Sequence, residues 1–191
     1  MKRAITLLLL FVSSVIILSA QELTTQYGKV TKDEVTMTTY QKDTTASAVT
    51  LYKNVDARYV YNVDDFGIDY YYETKIKGLK SEGKEYGTVV IPFYDNEKSG
   101  AKKELVSRIE AYAYNMENGK IIKTKMDKSY IFKERITPYY KQIKFSILAV
   151  KEGTVIENKY LLTSEFPPQI EECVFQQDIP VIYSNYEKRK I

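Results

Sequence analysis

The side chains that could do chemistry in this sequence are carboxylates and tyrosines, because its 191 residues include no histidine. Without imidazole, a Ser-His-Asp or Cys-His catalytic centre is excluded, and so is an ordinary zinc or iron site. Carboxylates are adjacent or close at Asp64-Asp65, at Asp95 with Glu97, and at Glu171-Glu172. Neighbours on a strand point to opposite faces, so we expect these to be solvated turn residues. The sequence predicts no catalytic residue, no metal site and no cofactor.

Two other uses of these carboxylates stay open but are less favoured. A glycosidase would hold two of them about 5 to 9.5 Å apart across a cleft, which their spacing in the sequence does not establish. Asp64-Asp65 before Gly67, and residues 95–97 before Gly100, could offer oxygen ligands to calcium. Neither segment has the spacing of an EF-hand loop.

Cys173 is the only cysteine, so no disulfide can form within the chain. The carboxylates of its neighbours Glu171 and Glu172 disfavour a thiolate, and no histidine is present to activate it. We expect a structural thiol.

The 18 tyrosines are the other unusual feature of a sequence that has no tryptophan. Packing between strands of the core is the favoured interpretation. Rings that stay exposed would instead stack on sugars or form a protein interface. Tyr71, Tyr112 and Tyr114 are therefore the candidate ligand-binding residues, and Tyr71 is the first of them because it falls on the charged face of its strand.

Residues 1–20 have the three parts of a secretory signal peptide: a positive start at Lys2-Arg3, an apolar run, and a small residue, Ala20, at the cleavage point. The apolar run is shorter than the roughly 20 residues of a spanning helix, which favours cleavage over an uncleaved anchor. We expect an exported protein, periplasmic or extracellular, with no membrane span after cleavage.

The remaining chain begins with a polar segment, residues 21–45. Thr31 followed by Glu34 has the spacing of a capping box and predicts a short helix over residues 32–40. Beyond Ala46 the pattern is that of strands. Residues 68–77 alternate strictly between an apolar and a charged face, which predicts a half-buried antiparallel strand.

The other strand signals are short runs separated by glycines or by the hairpin signal Asn118-Gly119. About nine or ten strands over residues 46–186 predict an all-β fold, an antiparallel β-sandwich. The runs 143–147 and 154–163 are predicted to pair with each other, and residues 127–135 stay open between a strand and a helical turn. The other predicted strands are 48–52, 58–63, 88–94, 105–114, 120–126, 173–177 and 181–186.

Several short segments also occur in a characteristic order. They are AVTLY (48–52), IPFY (91–94), IEAYAY (109–114), NGK (118–120), KF (144–145), EGTVIENKY (152–160) and FQQDIPV (175–181). In this order the chain resembles the N-terminal domain of unknown function that precedes the transglutaminase-like domain in exported proteins of Bacteroidota.

The resemblance covers residues 46–186 and implies a noncatalytic, β-rich module, usually followed by a papain-like domain with a Cys-His-Asp triad. No histidine is present and Cys173 falls inside the N-terminal module, so no catalytic residue carries over. The sequence stops soon after the last matching segment, and residues 187–191 are expected to be a truncated end.

We therefore expect a noncatalytic exported module that binds or positions a protein partner or a downstream transglutaminase-like domain. Val181, Tyr183 and Tyr186 are the candidate docking residues, because an exposed strand edge can accept another strand. The alternative is a carbohydrate-binding module that uses exposed tyrosines. With 28 basic against 25 acidic residues, nothing in the charge favours a nucleic acid as partner.

Overall fold

Nine strands form two sheets in the computed structural model, which describes residues 23–62, 65–96, 98, 100–166 and 178–189. The strands are β1 Ala48–Asn62, β2 Asp65–Gly78, β3 Thr88–Tyr94, β4 Glu104–Glu117, β5 Lys120–Lys125, β6 Ile131–Arg135, β7 Tyr140–Ser146, β8 Val155–Ser164 and β9 Ser184–Arg189. One sheet has six strands in the order β5-β4-β8-β2-β1-β9, and the other has three in the order β3-β7-β6.

The main core lies between the two sheets and confirms the predicted all-β sandwich. Alternate residues of each strand point inward, as the period of a strand requires. Ile68 and Tyr70 of β2 meet Phe93 of β3 and Phe145 of β7 in one cluster of buried side chains. Every strand pair is antiparallel except β1 with β9, which is parallel.

Two predictions about individual strands are wrong. The run 48–52 and the described part of the run 58–63 belong to one strand, β1, because residues 53–57 between them also pair with β2 without a break. The runs 143–147 and 154–163 do not pair. They belong to β7 and β8, which lie in different sheets, so the segment between them crosses from one layer to the other.

The local signals for the helix and the hairpin are confirmed. Helix α1, Lys32–Thr36, begins at a capping box in which the Thr31 hydroxyl accepts from the Glu34 amide at 3.1 Å and the Glu34 carboxylate accepts from the Thr31 amide at 2.8 Å. It is shorter than predicted and ends at Met37. Asn118 and Gly119 have φ of 48° and 76°, the left-handed values that a tight hairpin turn needs.

Residues 127–135 contain both predicted alternatives, a 3₁₀ turn at Lys128–Tyr130 followed by β6. A second 3₁₀ turn, Ser81–Gly87, precedes β3. The signal peptide, Cys173, Asp64, Glu97, the pair Glu171-Glu172 and the predicted strand 173–177 lie outside the described residues.

A third layer covers part of the six-stranded sheet on the side away from the small sheet. Val35 and Met37 of the N-terminal segment pack there against Val49 and Leu51 of β1 and Val155 of β8. The prediction that β2 is only half-buried is therefore wrong at its C-terminal end. Lys75 and Lys77, on its charged face, are both fully buried.

Candidate binding pocket

A bulge in β4 shifts the register of its pairing with β8 in the six-stranded sheet. Ser107 pairs with Leu161 and Glu110 with Lys159, so two residues of β4 stand opposite one residue of β8. This is the residue count of a β-bulge. One of these two bulge residues, Arg108, has φ of 52°, which costs a residue with a side chain about 1–2 kcal/mol.

A cavity of about 600 Å³ lies at this bulge, and we call it the bulge pocket. Its walls come from β2, β4, β5, β6 and β8 and from the turn before β6. The lining residues that carry charge or an aromatic ring are Tyr71, Tyr72, Glu73, Arg108, Glu110, Lys125, Lys128, Lys159 and Tyr160.

Cations outnumber carboxylates in the bulge pocket, by four to two. Lys159 lies 3.5 Å from the Glu110 carboxylate. The side chains of Arg108, Lys125 and Lys128 are exposed, and within the described part of the chain they make no ion pair.

The carboxylate of Glu73 is half-buried in the same wall. Burial raises its pKa and Asp56 adds to the rise, while the positive charge of Lys159 opposes it. The pocket therefore combines unpaired cations with carboxylate acceptors.

Tyrosine rings supply the apolar part of the bulge pocket. Tyr72 and Tyr160 stack on each other with ring centroids 4.7 Å apart and planes 17° from parallel. Tyr71 is half-buried, and the guanidinium of Arg58 lies 4.6 Å from the centroid of its ring. The ring of Tyr71 lies on the face of β2 that carries Glu73 and suits the C–H face of a flat or cyclic ligand, whereas Tyr72 and Tyr160 pack against the main core.

The three tyrosines predicted to bind a ligand do not lie together in one site. Only Tyr71 lines the bulge pocket. Tyr112 is half-buried, with the Lys123 ammonium 3.8 Å from its ring centroid and its hydroxyl donating to Glu110 at 3.3 Å. Tyr114 is 3% exposed, so the expectation of an exposed ring is wrong there, because the N-terminal segment packs over it.

The predicted docking residues follow the edge of the large sheet. Val181 forms a single parallel bridge with Thr50, and Tyr183 is 45% exposed just before β9. Tyr186, in β9, packs against the main core. Because β9 is the last strand of the sheet order, its outer edge has no strand partner among the described residues. Docking at this edge stays a prediction.

A group of buried charges lies beneath the N-terminal segment, and sequence reasoning missed it. We call Glu34, Lys75 and Glu157 the buried charge cluster, since none of the three side chains is exposed. The Lys75 ammonium lies 3.3 Å from Glu34 and 3.9 Å from Glu157. It also donates to the carbonyls of Thr24 at 2.9 Å and Lys29 at 2.7 Å.

Glu157 completes the attachment of this segment to the sheet. Both of its carboxylate oxygens accept from the Gly28 amide at 3.0 Å, and the Tyr114 hydroxyl donates to it at 2.8 Å. Burial raises the pKa of Glu157, while these donors and Lys75 lower it. The cluster thus holds the N-terminal segment on the sheet by charge and hydrogen bonds.

Lys77 lies beside the cluster and leads to a pH prediction. Burial lowers its pKa from 10.5 to about 8, although its ammonium donates to the carbonyls of Val35 and Gly153. Between about pH 8 and pH 10.5 the unfolded chain binds a proton that the folded chain has released, so stability rises with pH in this window. Below about pH 8 Lys77 is protonated in both the folded and the unfolded chain, so the full cost of burying its charge lowers the stability of the fold.

Urea unfolding of the wild type and Lys77→Met over this pH range checks the prediction. The free energy of unfolding of the wild type, minus that of the variant, should grow as pH rises, by at most about 1.4 kcal/mol per pH unit. Lys84→Met, at an exposed site, should leave the pH dependence of the wild type unchanged. A difference that stays flat with Lys77→Met would contradict the lowered pKa.

Of the carboxylates proposed for catalysis or calcium, Asp95 is the one whose side chain the structure describes, and cations hold it. Asp95 accepts from Lys141 at 2.8 Å and lies 3.4 Å from Arg135, so it ties the end of β3 to β7 and β6 within the small sheet. Within the described part of the chain, no three His, Cys, Asp or Glu side chains are grouped as metal ligands. The same residues include no helix that is both long and apolar enough to cross a membrane.

Comparisons with known proteins add little to this description. No family model and no curated protein matches the chain. Among solved structures, the chain is similar to a putative protease from Parabacteroides distasonis, one of the Bacteroidota, with 14% sequence identity and a TM-score of 0.45. The match covers 62% of this chain but 23% of that chain. At this score the similarity carries no argument about activity, and membership of the transglutaminase-associated family stays a prediction.

Proposed function

We propose that this chain is a noncatalytic module of an exported protein and that it binds a partner protein, or a further domain, through the outer face of the three-stranded sheet. The observation that carries the proposal is the exposure of large apolar side chains there. Phe132 is 60% exposed, Val90 49% and Tyr140 46%. The solvated face of an antiparallel sheet is normally polar, and a group of exposed apolar side chains is typical of an interaction surface.

These side chains form a continuous surface because of the strand register. Val90 of β3 and Phe132 of β6 both lie opposite Lys144 of β7, which places the three in one row across the sheet. Pro92 and Tyr140 follow two and four residues away on the same face. We call Val90, Pro92, Phe132, Tyr140 and Lys144 the docking face.

The charge of the docking face indicates the chemistry of its partner. Lys144 is exposed between two apolar side chains and makes no ion pair with any described residue. A partner that covers the face would remove water from this ammonium. Burying the charge is unfavourable unless the partner supplies a carboxylate to pair with it. We therefore assign as partner a protein surface that presents apolar side chains around an acidic residue.

The noncatalytic and exported parts of the proposal rest on the sequence. The absence of histidine removes the commonest general base, and residues 1–20 have the pattern of a signal peptide. The resemblance to transglutaminase-associated modules makes a transglutaminase-like domain the first partner to test.

A photocrosslinking experiment tests the docking face. The full chain, with p-benzoylphenylalanine in place of Phe132, is irradiated in the cells that make the protein. We expect an adduct with one other protein, and we expect Lys144→Glu in the same chain to reduce its yield by about tenfold, since like charges would then face each other.

The β4–β5 turn supplies the controls for this experiment. Lys120 is exposed there, so the same photoreactive residue at position 120 should give no adduct, and Lys120→Glu should leave the adduct at position 132 intact. Equal yields at positions 132 and 120, or an adduct that Lys144→Glu does not change, would overturn the proposal. An adduct of twice the mass of the chain would replace it by self-association.

A further inference from the structure

We propose that the bulge pocket binds an acidic saccharide, that is, a sugar that carries a carboxylate or sulfate group. The inference concerns a different surface from the docking face and is independent of the partner proposed there. It gives the carbohydrate-binding alternative a site and a ligand class. The pocket offers three kinds of contact, for the anion, for the hydroxyls and for the ring.

Three cations are positioned for the anionic group. Arg108 comes from the bulge of β4, Lys125 from the end of β5 and Lys128 from the turn that follows. None of the three makes an ion pair with a described residue, and the cations that line the pocket outnumber its two carboxylates. An anion placed among them would be attracted by all three, and Arg108 could hold a carboxylate or sulfate through two parallel hydrogen bonds.

The conformation of Arg108 adds to this argument. Its left-handed backbone is unfavourable for a residue with a side chain, and at the bulge the half-buried Ile109 packs against the main core while Arg108 stays exposed. Backbone strain of this kind is concentrated at functional sites. Here the strained residue places a guanidinium in the wall of a cavity.

The other walls of the pocket favour a sugar over a phosphorylated ligand. Glu73 and Glu110 can accept hydrogen bonds from hydroxyl groups, whereas they would repel a ligand with several phosphates. Tyr71, on the same face of β2 as Glu73, supplies ring surface beside these carboxylates. Aromatic surface with a few convergent polar groups is the usual composition of a small-molecule site.

Calorimetric titration of the full chain tests the proposal with four probes. They are a uronate oligosaccharide, a sulfated oligosaccharide, a neutral oligosaccharide of the same length, and inorganic sulfate. We expect at least one acidic sugar to bind about tenfold more tightly than the neutral one, with an affinity that falls as salt is added. The two acidic probes show which anionic group the pocket prefers.

Substitutions then locate the binding. Arg108→Gln should weaken the acidic sugar about tenfold and leave any neutral binding unchanged, and Lys128→Gln should act in the same direction. Tyr71→Ala should weaken the acidic sugar by loss of ring contact. Lys120→Gln removes the same charge from an exposed site outside the pocket and should have no effect.

Each contrary result has a distinct meaning. If the neutral sugar binds as tightly as the acidic ones, the assignment of an anion site is overturned while carbohydrate binding stands. If inorganic sulfate binds as tightly as the acidic sugars, the saccharide assignment is overturned. If none of the probes binds, or if Lys120→Gln weakens binding as much as Arg108→Gln, the whole proposal is overturned, whatever the result at the docking face.

Discussion

Replacing Lys75 by methionine is expected to lower the free energy of unfolding by about 3–5 kcal/mol. The Lys75 ammonium is fully buried between the carboxylates of Glu34 and Glu157. Its removal leaves two buried negative charges without their shared cation, and two backbone carbonyls of the N-terminal segment lose their donor. Urea denaturation followed by circular dichroism measures the change.

Two further variants show whether the loss comes from charge. In Lys75→Met combined with Glu157→Gln, one of the stranded carboxylates is neutral, so the double variant should be more stable than Lys75→Met alone. Lys120→Met, at an exposed site, should change the free energy of unfolding by less than about 0.5 kcal/mol. A Lys75→Met protein within about 1 kcal/mol of the wild type would show that the cluster does not hold the N-terminal segment.

Replacing Phe145 by alanine is expected to cost about 3–5 kcal/mol, the usual loss for a large aromatic side chain removed from a core. Phe145 is fully buried between the two sheets, where the small sheet packs on the large one. The same denaturation experiment measures the loss.

Phe132 is a matched control for Phe145. It has the same side chain on the neighbouring strand of the same sheet, but it points outward and is 60% exposed. Phe132→Ala should change stability by less than about 0.5 kcal/mol. If the two substitutions cost the same, the assignment of the inner and outer faces of the small sheet is wrong, and with it the docking face.

The features that were predictable from the sequence are those encoded by neighbouring residues. The capping box of Thr31 and Glu34 depends on three consecutive peptide units, and the Asn118-Gly119 turn depends on two residues that tolerate positive φ. The alternation of residues 68–77 reports the pleat of a single strand. From such signals the all-β class and most strand positions follow.

The pairing of strands, in contrast, is not encoded by neighbouring residues. The runs that form β7 and β8 are close in the sequence and both have the pattern of a strand, yet they lie in different sheets. Pairing depends on which edge is free when the two layers assemble, and residues far apart in the chain determine this. Likewise, the parallel pairing of β9 with β1 joins the two ends of the β region.

The candidate site was predictable only in part, for the same reason. Tyr71 was identified because it falls on the charged face of β2, and it lines the bulge pocket. Arg108 carries no signal in the sequence, since its left-handed backbone arises from a mismatch in register between β4 and β8. Tyr114 lies in an alternating strand pattern like that around Tyr71, but the N-terminal segment packs over it and buries it.

By itself, the sequence determined the strand-rich fold, the turns and the lack of imidazole chemistry, because composition and short-range periodicity are properties of the chain alone. The tertiary structure decided which charged side chains are buried and which cations converge. The lysines at positions 75 and 77 look like the solvated face of a strand, and only the packing of the N-terminal segment makes them interior. Whether a strand face is buried depends on which other part of the chain packs against it, and the residues of the strand alone do not specify that.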